Sequence, residues 1–285
     1  MSRPSALRVG TAVAALAIAA LALSACQTGS GDAGTTEPAA ASEWVTEGKF
    51  TVGTGEPAYF PWVVDDAPES GEGFEAAVAY AVAAELGFAA DDVVWVRTTF
   101  DEAIAPGPKN FDVNLQQFSI TDERKAAVDF SSPYYETTQV VITTEGSAAA
   151  SATSLADLKP LLVGAQTGTT SFVTAEAIIA PDAGVQVFNT NEDAKLALES
   201  GQIDAIVVDL PTAFYIAGVE LDGGVIVGQL PDSAGQADAF GLVLAKDSPI
   251  TAKVTAAVDA LRDNGTLAQI ETEWLADYAG APVLR

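Results

Sequence analysis

Short β-branched runs recur along most of this chain, and helical periodicity fills the gaps between them. "KFTVGTG", "VVWVRTT" and "FDVNLQQF" read as strands in the first half. "LLVGAQ", "VQVFNT", "DAIVVD", "GVIVGQL" and "FGLVLA" do so in the second. Phe74, Val78, Val82 and Leu86 recur every fourth residue, which predicts an amphipathic helix that Gly87 ends. Further helices are expected near 169–180, 191–200 and 211–218. Ser248-Pro249 makes a good cap and first helical residue, ahead of the apolar face Ile250, Val254, Val258 and Leu261. A last helix carries Leu267, Ile270 and Trp274, and Pro106-Gly107-Pro108 interrupts whatever helix starts near Asp101. Strands alternating with helices in this way predict an α/β fold with largely parallel strands.

The N-terminal end has a different character. Arg3 and Arg8 precede the apolar run "VGTAVAALAIAALALSAC", which is short for a membrane span and has small residues before its end. This is the pattern of an export signal. Its last four residues, Leu23-Ser24-Ala25-Cys26, resemble a bacterial lipobox, in which the cysteine is lipidated and becomes the new N-terminus. Residues 27–43, "QTGSGDAGTTEPAAASE", are small and polar and cannot bury a core. The expected layout is a signal peptide at 1–25 and a lipidated tether at 26–43. The protein is then extracytoplasmic, held on the outer face of the cell membrane by Cys26 and a second acyl group.

Composition excludes several chemistries. Cys26 is the one cysteine and histidine is absent, so thiolate catalysis, a Ser-His mechanism and a His-ligated zinc site are ruled out downstream. No metal and no cofactor is expected. The formal charge of −26 argues against nucleic acid and against an anionic lipid surface as partners. About 240 residues remain after the tether, enough for two modest lobes or one large domain.

One arginine stands out. In "SITDERKAAVDFSSPYY", Thr121 reads as a helix cap with Asp122 and Glu123 in the first turn, where the helix dipole favours acids. Arg124 shares that turn, where a cation is disfavoured. Residue by residue, two readings stay open: an ordinary salt bridge to Glu123 or Asp129, or a guanidinium that meets an anionic ligand.

This stretch, with "GAQTGTT", "ESGQIDAIVVDLPTA" and "LRDNGTLAQIETEWL", resembles the polar amino-acid-binding proteins of ABC importers, the family 3 extracellular solute-binding proteins. The likeness spans roughly Lys49 to Tyr278. It implies a two-lobed, periplasmic-binding-protein-like clamshell with two hinge strands. Lobe 1 would combine 44–141 with 242–285, lobe 2 would be 142–241, and "QVVIT" and "AFGLVL" would be the crossings. The implied function is capture of an amino acid, polar or basic favoured, and its delivery as a monomer to the transmembrane subunits of an ABC permease. An enzyme on the same scaffold, such as a dehydratase of prephenate-like acids, is the alternative. A non-enzymatic role is expected.

By family position, Arg124 would grip the ligand carboxylate as a planar fork. Ser119 would offer its N–H to the carboxylate and its hydroxyl to the ammonium, and Thr170 would add an N–H from the other lobe. Asp209 would pair with the ammonium, its alternative role being an N-cap for the helix near Pro211. Tyr59 and Phe100 would be facing rings along the ligand side chain, and Glu56 would reach its polar end. Trp62 is expected to be packing. The chain departs from the family at Gln116 and Gln117, where small residues are common, and at Gln166, where some relatives have another side-chain reader. It also lacks the second acid often found after the glycine-aromatic pair of "GFEAAV".

Overall fold

The computed structural model describes residues 43–231, 238–275 and 280–285. The expected signal peptide, Cys26 and nearly all of the tether lie outside the described residues.

The chain enters β1 (Phe50–Thr54), all of it buried, and then α1 (Phe74–Glu85) and β2 (Val93–Arg97). Next come α2 (Phe100–Ile104), β3 (Val113–Asn114), α3 (Asp122–Lys125) and β4 (Val128–Phe130). β5 (Tyr135–Thr137) and β6 (Gln139–Thr144) follow almost without a break. The middle of the chain forms α4 (Leu155–Leu158), β7 (Val163–Gln166), α5 (Thr170–Thr174), β8 (Gln186–Phe188) and α6 (Asn191–Glu199). β9 (Ala205–Asp209), α7 (Leu210–Tyr215) and β10 (Gly224–Gln229) close that region. β11 (Asp238–Phe240), β12 (Val243–Ala245), α8 (Thr251–Asp263) and α9 (Thr266–Leu275) complete the described elements.

These elements make two lobes, each built on a five-stranded sheet. The first has strand order β2-β1-β3-β12-β4 and the second β10-β6-β9-β7-β8. The sheets are mixed, whereas the alternation of elements predicted largely parallel strands. The reason is the route of the chain. β12 in the first sheet and β6 in the second run against their neighbours, and each follows directly on a passage between sheets. The passages themselves are β5 and β11, which pair antiparallel with Phe240 opposite Tyr135.

Alternation along each strand places the core. In β6, Val141 faces one side of the sheet while Val140 and Ile142 face the other, and β9 repeats this with Val207 against Ile206 and Val208. Both faces of the second sheet are therefore covered, which accounts for the unbroken apolar run in "DAIVVD". In the first lobe, Phe50 and Val52 of β1 pack under Phe74, Val78 and Val82 of α1 and under Val254 and Val258 of α8. Burial of one such side chain is worth roughly 1.5–3 kcal/mol.

Three boundaries differ from the sequence expectation. Gln139–Val141, assigned to lobe 1, stand in the second sheet, because β6 pairs with β9 from Gln139 opposite Asp209 onward. The last residues, also assigned to lobe 1, lie on the second lobe: Val283 bridges Gln229, and Leu284 is buried in that lobe's core. The strand expected over "FDVNLQQF" pairs only at Val113–Asn114, because Gln117 has a φ of 53°, a left-handed conformation that leaves the sheet.

Candidate functional site

The side chain of Arg124 lies in the crevice between the lobes. Thr121 caps α3 by accepting from the Arg124 N–H at 3.1 Å, as the sequence predicts. The guanidinium then turns away from Glu123 and Asp129. Nη1 donates to the Ser119 carbonyl at 2.7 Å, and Nη2 donates to the Gly168 carbonyl of the second lobe at 2.9 Å. Its carbon sits 5.4 Å from the centre of the Phe100 ring, which packs on Phe118. Burial lowers the Arg124 pKa, and the charges of Asp238, Asp209 and Glu123 oppose that shift. Asp129 is committed elsewhere, to Lys246 and Thr251. Among the described residues no carboxylate forms an ion pair with Arg124.

Ser119 and Thr170 close the gap beside it. Their hydroxyl oxygens are 3.0 Å apart and belong to different lobes. Asp209 ends β9, and its side chain makes no capping bond to the helix it precedes. Its Oδ1 instead accepts from Gln139 Nε2 at 2.8 Å. Burial, followed by the charge of Asp238, pushes its pKa up to about 7, while Gln139 and Arg124 act the other way. The structure thus brings Ser119, Arg124, Thr170 and Asp209 into one buried polar cluster.

A cavity of about 410 Å³ is bounded by both lobes, and Ser119, Arg124, Thr170 and Asp209 are not among its lining residues. Glu56, Tyr59, Phe100 and Gln117 line it from the first lobe, and Gln166 lines it from the second with Asn189, Thr190 and Asn191. Glu75 and Asp101 are further carboxylates on its wall, and no lysine or arginine lines it among the described residues. Tyr59 and Phe100 share the cavity, with Tyr59 partly exposed at 38%. A larger, more open groove of about 860 Å³ is lined in part by the crossing strands, through Glu136, Asp238 and Ala239. Its two lysines are paired with Asp122 and Asp129, and it contains none of the nine candidate ligand-binding residues.

The three glutamines of interest have protein partners. Gln116 donates to Thr98 and Asn114, Gln117 donates to Glu75, and Gln166 accepts from the Asn191 N–H at 3.0 Å. The side-chain amides of Gln116 and Gln117, which could either narrow the pocket or hydrogen-bond a ligand, donate to the wall itself. They shape the cavity.

Sequence reasoning missed Glu75, Gln139 and Asp238. Glu75 is buried in the first turn of α1 and accepts from the Gln117 N–H at 2.7 Å, the Gln117 amide and the Tyr134 hydroxyl. Burial pushes its pKa up to about 7 despite those three donors. It helps to hold Gln117 in the left-handed conformation, whose cost of about 1–3 kcal/mol for a non-glycine residue the surrounding contacts must offset. Gly73 allows this arrangement, because a Cβ there would come within 2.6 Å of the Trp62 carbonyl oxygen. An acid right after Gly73-Phe74 was the available signal for Glu75. Gln139 and Asp238 gave none, since both sit on strands whose passage between lobes periodicity does not reveal.

The chain is similar to known proteins in sequence and in fold. The sequence model of the bacterial extracellular solute-binding proteins, family 3, matches residues 50–277. An L-arginine-binding protein of Pseudomonas aeruginosa is 32% identical over 226 residues, covering 77% of this chain and 85% of its own length. The solved structure of an ancestral arginine-binding protein bound to arginine superposes with a TM-score of 0.66 at 32% identity, covering 80% of this chain and 98% of that one. An ancestral arginine-binding protein bound to glutamine gives 0.67 at 31% identity, covering 81% of this chain and 99% of that one.

Proposed function

Since the chain belongs to the bacterial extracellular solute-binding proteins of family 3, we propose that it captures an amino acid with a basic or polar side chain between its lobes. It then presents that ligand, as a monomer, to the transmembrane subunits of an ABC importer. The observation that carries the reading is the cavity wall: Glu56 and Asp101 with Tyr59 and Phe100, and no lysine or arginine among the described residues. Such a wall suits a cationic side chain, through charge and through ring faces, better than an aliphatic or acidic one. Similarity to proteins named for binding arginine supports the same choice.

In this reading Arg124 pairs with the ligand carboxylate, with Ser119 and Thr170 beside it, and Asp209 receives the ammonium. Tyr59 and Phe100 flank the side chain, Glu56 meets its far end, and Gln117 and Gln166 complete the walls. β5 and β11 act as the hinge. Lobe 1 runs over 44–141 and 242–285 and lobe 2 over 142–241, apart from the strand and tail residues that pack on the opposite sheet. Cys26 carries the lipid anchor, and 27–43 is the tether to the membrane.

The test is calorimetric titration of purified protein with the twenty amino acids, with the ligand recovered afterwards. Arginine is expected to bind and to be returned unchanged, with glutamine weaker. Binding confined to branched aliphatic amino acids would overturn the reading, and consumption of a prephenate-like acid would replace it with the enzyme.

A further inference from the structure

The amide nitrogen of Gln139 sits among three oxygens. Asp238 Oδ2 is 2.6 Å away, Asp209 Oδ1 2.8 Å and Thr170 Oγ1 3.5 Å. The orientation of the amide is fixed by this company, since the reverse would set its oxygen against two carboxylates. The consequence falls on the other end of the group. Gln139 Oε1 is buried and has no hydrogen-bond partner among the described residues.

An amide nitrogen carries two hydrogens and no charge. The oxygens around this one offer three acceptors and two acids. An ammonium carries three donors and a full positive charge, so it satisfies such a cage better. The cage is also assembled from three separate places: Asp209 at the end of β9, Thr170 at the start of α5, and Asp238 on the crossing strand β11.

We propose that Asp238 is a second acid beside Asp209 at the ammonium position, and that the Gln139 amide competes with the ammonium for both. Gln139 sets how strongly an ammonium must bind to enter. When the amide swings out, its oxygen leaves a position where it has no partner, which offsets part of the cost of the exchange. Because Asp238 lies on a crossing strand, occupancy of the cage is coupled to the strand pair about which the lobes turn. The inference rests on the reading of the cleft as an amino-acid site.

Wild-type protein, Gln139→Met and Asp238→Asn are titrated with L-arginine and with guanidinovalerate, its des-amino analogue. Gln139→Met keeps the shape and removes the competitor. It is expected to bind L-arginine roughly threefold to thirtyfold more tightly, while melting at a lower temperature without ligand because two acids lose their donor. A merely structural glutamine would lower both stability and affinity, and that result, or an unchanged affinity, overturns the proposal. Asp238→Asn is expected to weaken L-arginine about tenfold or more and to leave guanidinovalerate unchanged. Equal losses for both compounds overturn the role of Asp238, and this arm decides the matter if Gln139→Met does not fold. No binding of any amino acid by the wild type removes the functional reading and this inference together. Binding by the wild type with no effect in the variants removes the inference alone.

Discussion

The indole N–H of Trp62 donates to the hydroxyl of Thr212 at 3.1 Å, a bond between residues 150 apart in sequence and on different lobes. Beside it, the Phe60 and Tyr215 rings approach to 5.3 Å between centres. Thr212 stands on α7, three residues after Asp209, so the bond fixes the distance from the first lobe to the acid assigned to the ammonium. Trp62 is otherwise a packing residue, as the sequence suggests, wedged against Phe74, Tyr135 and Phe240. Its nitrogen adds a direct tie across the cleft.

Thr212→Val removes that tie with little change of volume. A net hydrogen bond is worth about 0.5–1.5 kcal/mol, so ligand affinity is expected to fall roughly twofold to tenfold. Calorimetry measures the loss. Trp62 fluorescence is expected to respond less to ligand in the variant, and an unchanged affinity would mean the bond is indifferent to closure.

Arg124→Ala and Asp209→Ala are each expected to weaken amino-acid binding by about 2–5 kcal/mol, because each leaves an opposite charge buried without its partner. Arg124→Lys is expected to recover only part of the loss, since a point charge does not reproduce a planar fork. Titration calorimetry on the variants measures this, and near wild-type affinity in Arg124→Ala or Asp209→Ala would strip that residue of its role.

Stability is expected to fall as pH rises from about 4 to 7. Glu75 and Asp209 are both pushed up to about 7, burial being the first cause in each. Tyr134 and Gln117 partly oppose it at Glu75, and Arg124 and Gln139 oppose it at Asp209. In the unfolded chain these carboxyls titrate near 4, so between the two values the native state holds more protons. The sign follows: each group subtracts up to about 1.4 kcal/mol per pH unit through that window, and nothing further below it, where both states are protonated. Urea unfolding of wild type and Glu75→Gln across the window should show a steeper decline in the wild type. Parallel curves would mean that Glu75 titrates normally. Binding of an ammonium to Asp209 favours its ionised form, so protons should be released on binding near pH 6, measurable in buffers of different ionisation enthalpy.

Phe100→Leu takes the ring from beneath Arg124 and from the cavity wall. Loss of a cation–π contact of about 0.5–2 kcal/mol is expected to weaken arginine, and to weaken citrulline, its uncharged counterpart, less. The ratio of the two affinities, measured by titration, distinguishes a ring that meets the ligand's cation from one that serves Arg124 alone. The second case would lower both equally.

Local signals in the sequence determined much of this protein. The periodicity of Phe74, Val78 and Val82 and the unbroken run before Asp209 encode a helix and a two-sided strand through short-range physics. The cap at Thr121 was legible for the same reason, and so was the anomaly of Arg124, whose charge conflicts with its own turn. Ser248-Pro249, by contrast, did not mark the helix start: α8 opens at Thr251, with Ile250 at its cap and no side-chain capping bond. What Arg124 faces was not legible. Its partners at Ser119 and Gly168, the pairing of Trp62 with Thr212, and the gathering of Asp209, Asp238 and Gln139 around one nitrogen depend on two passages of the chain between lobes. Periodicity reports which face of an element is buried and is silent about what is buried against it. Buried polar groups take their partners from wherever the chain returns, so the site was decided by tertiary structure alone.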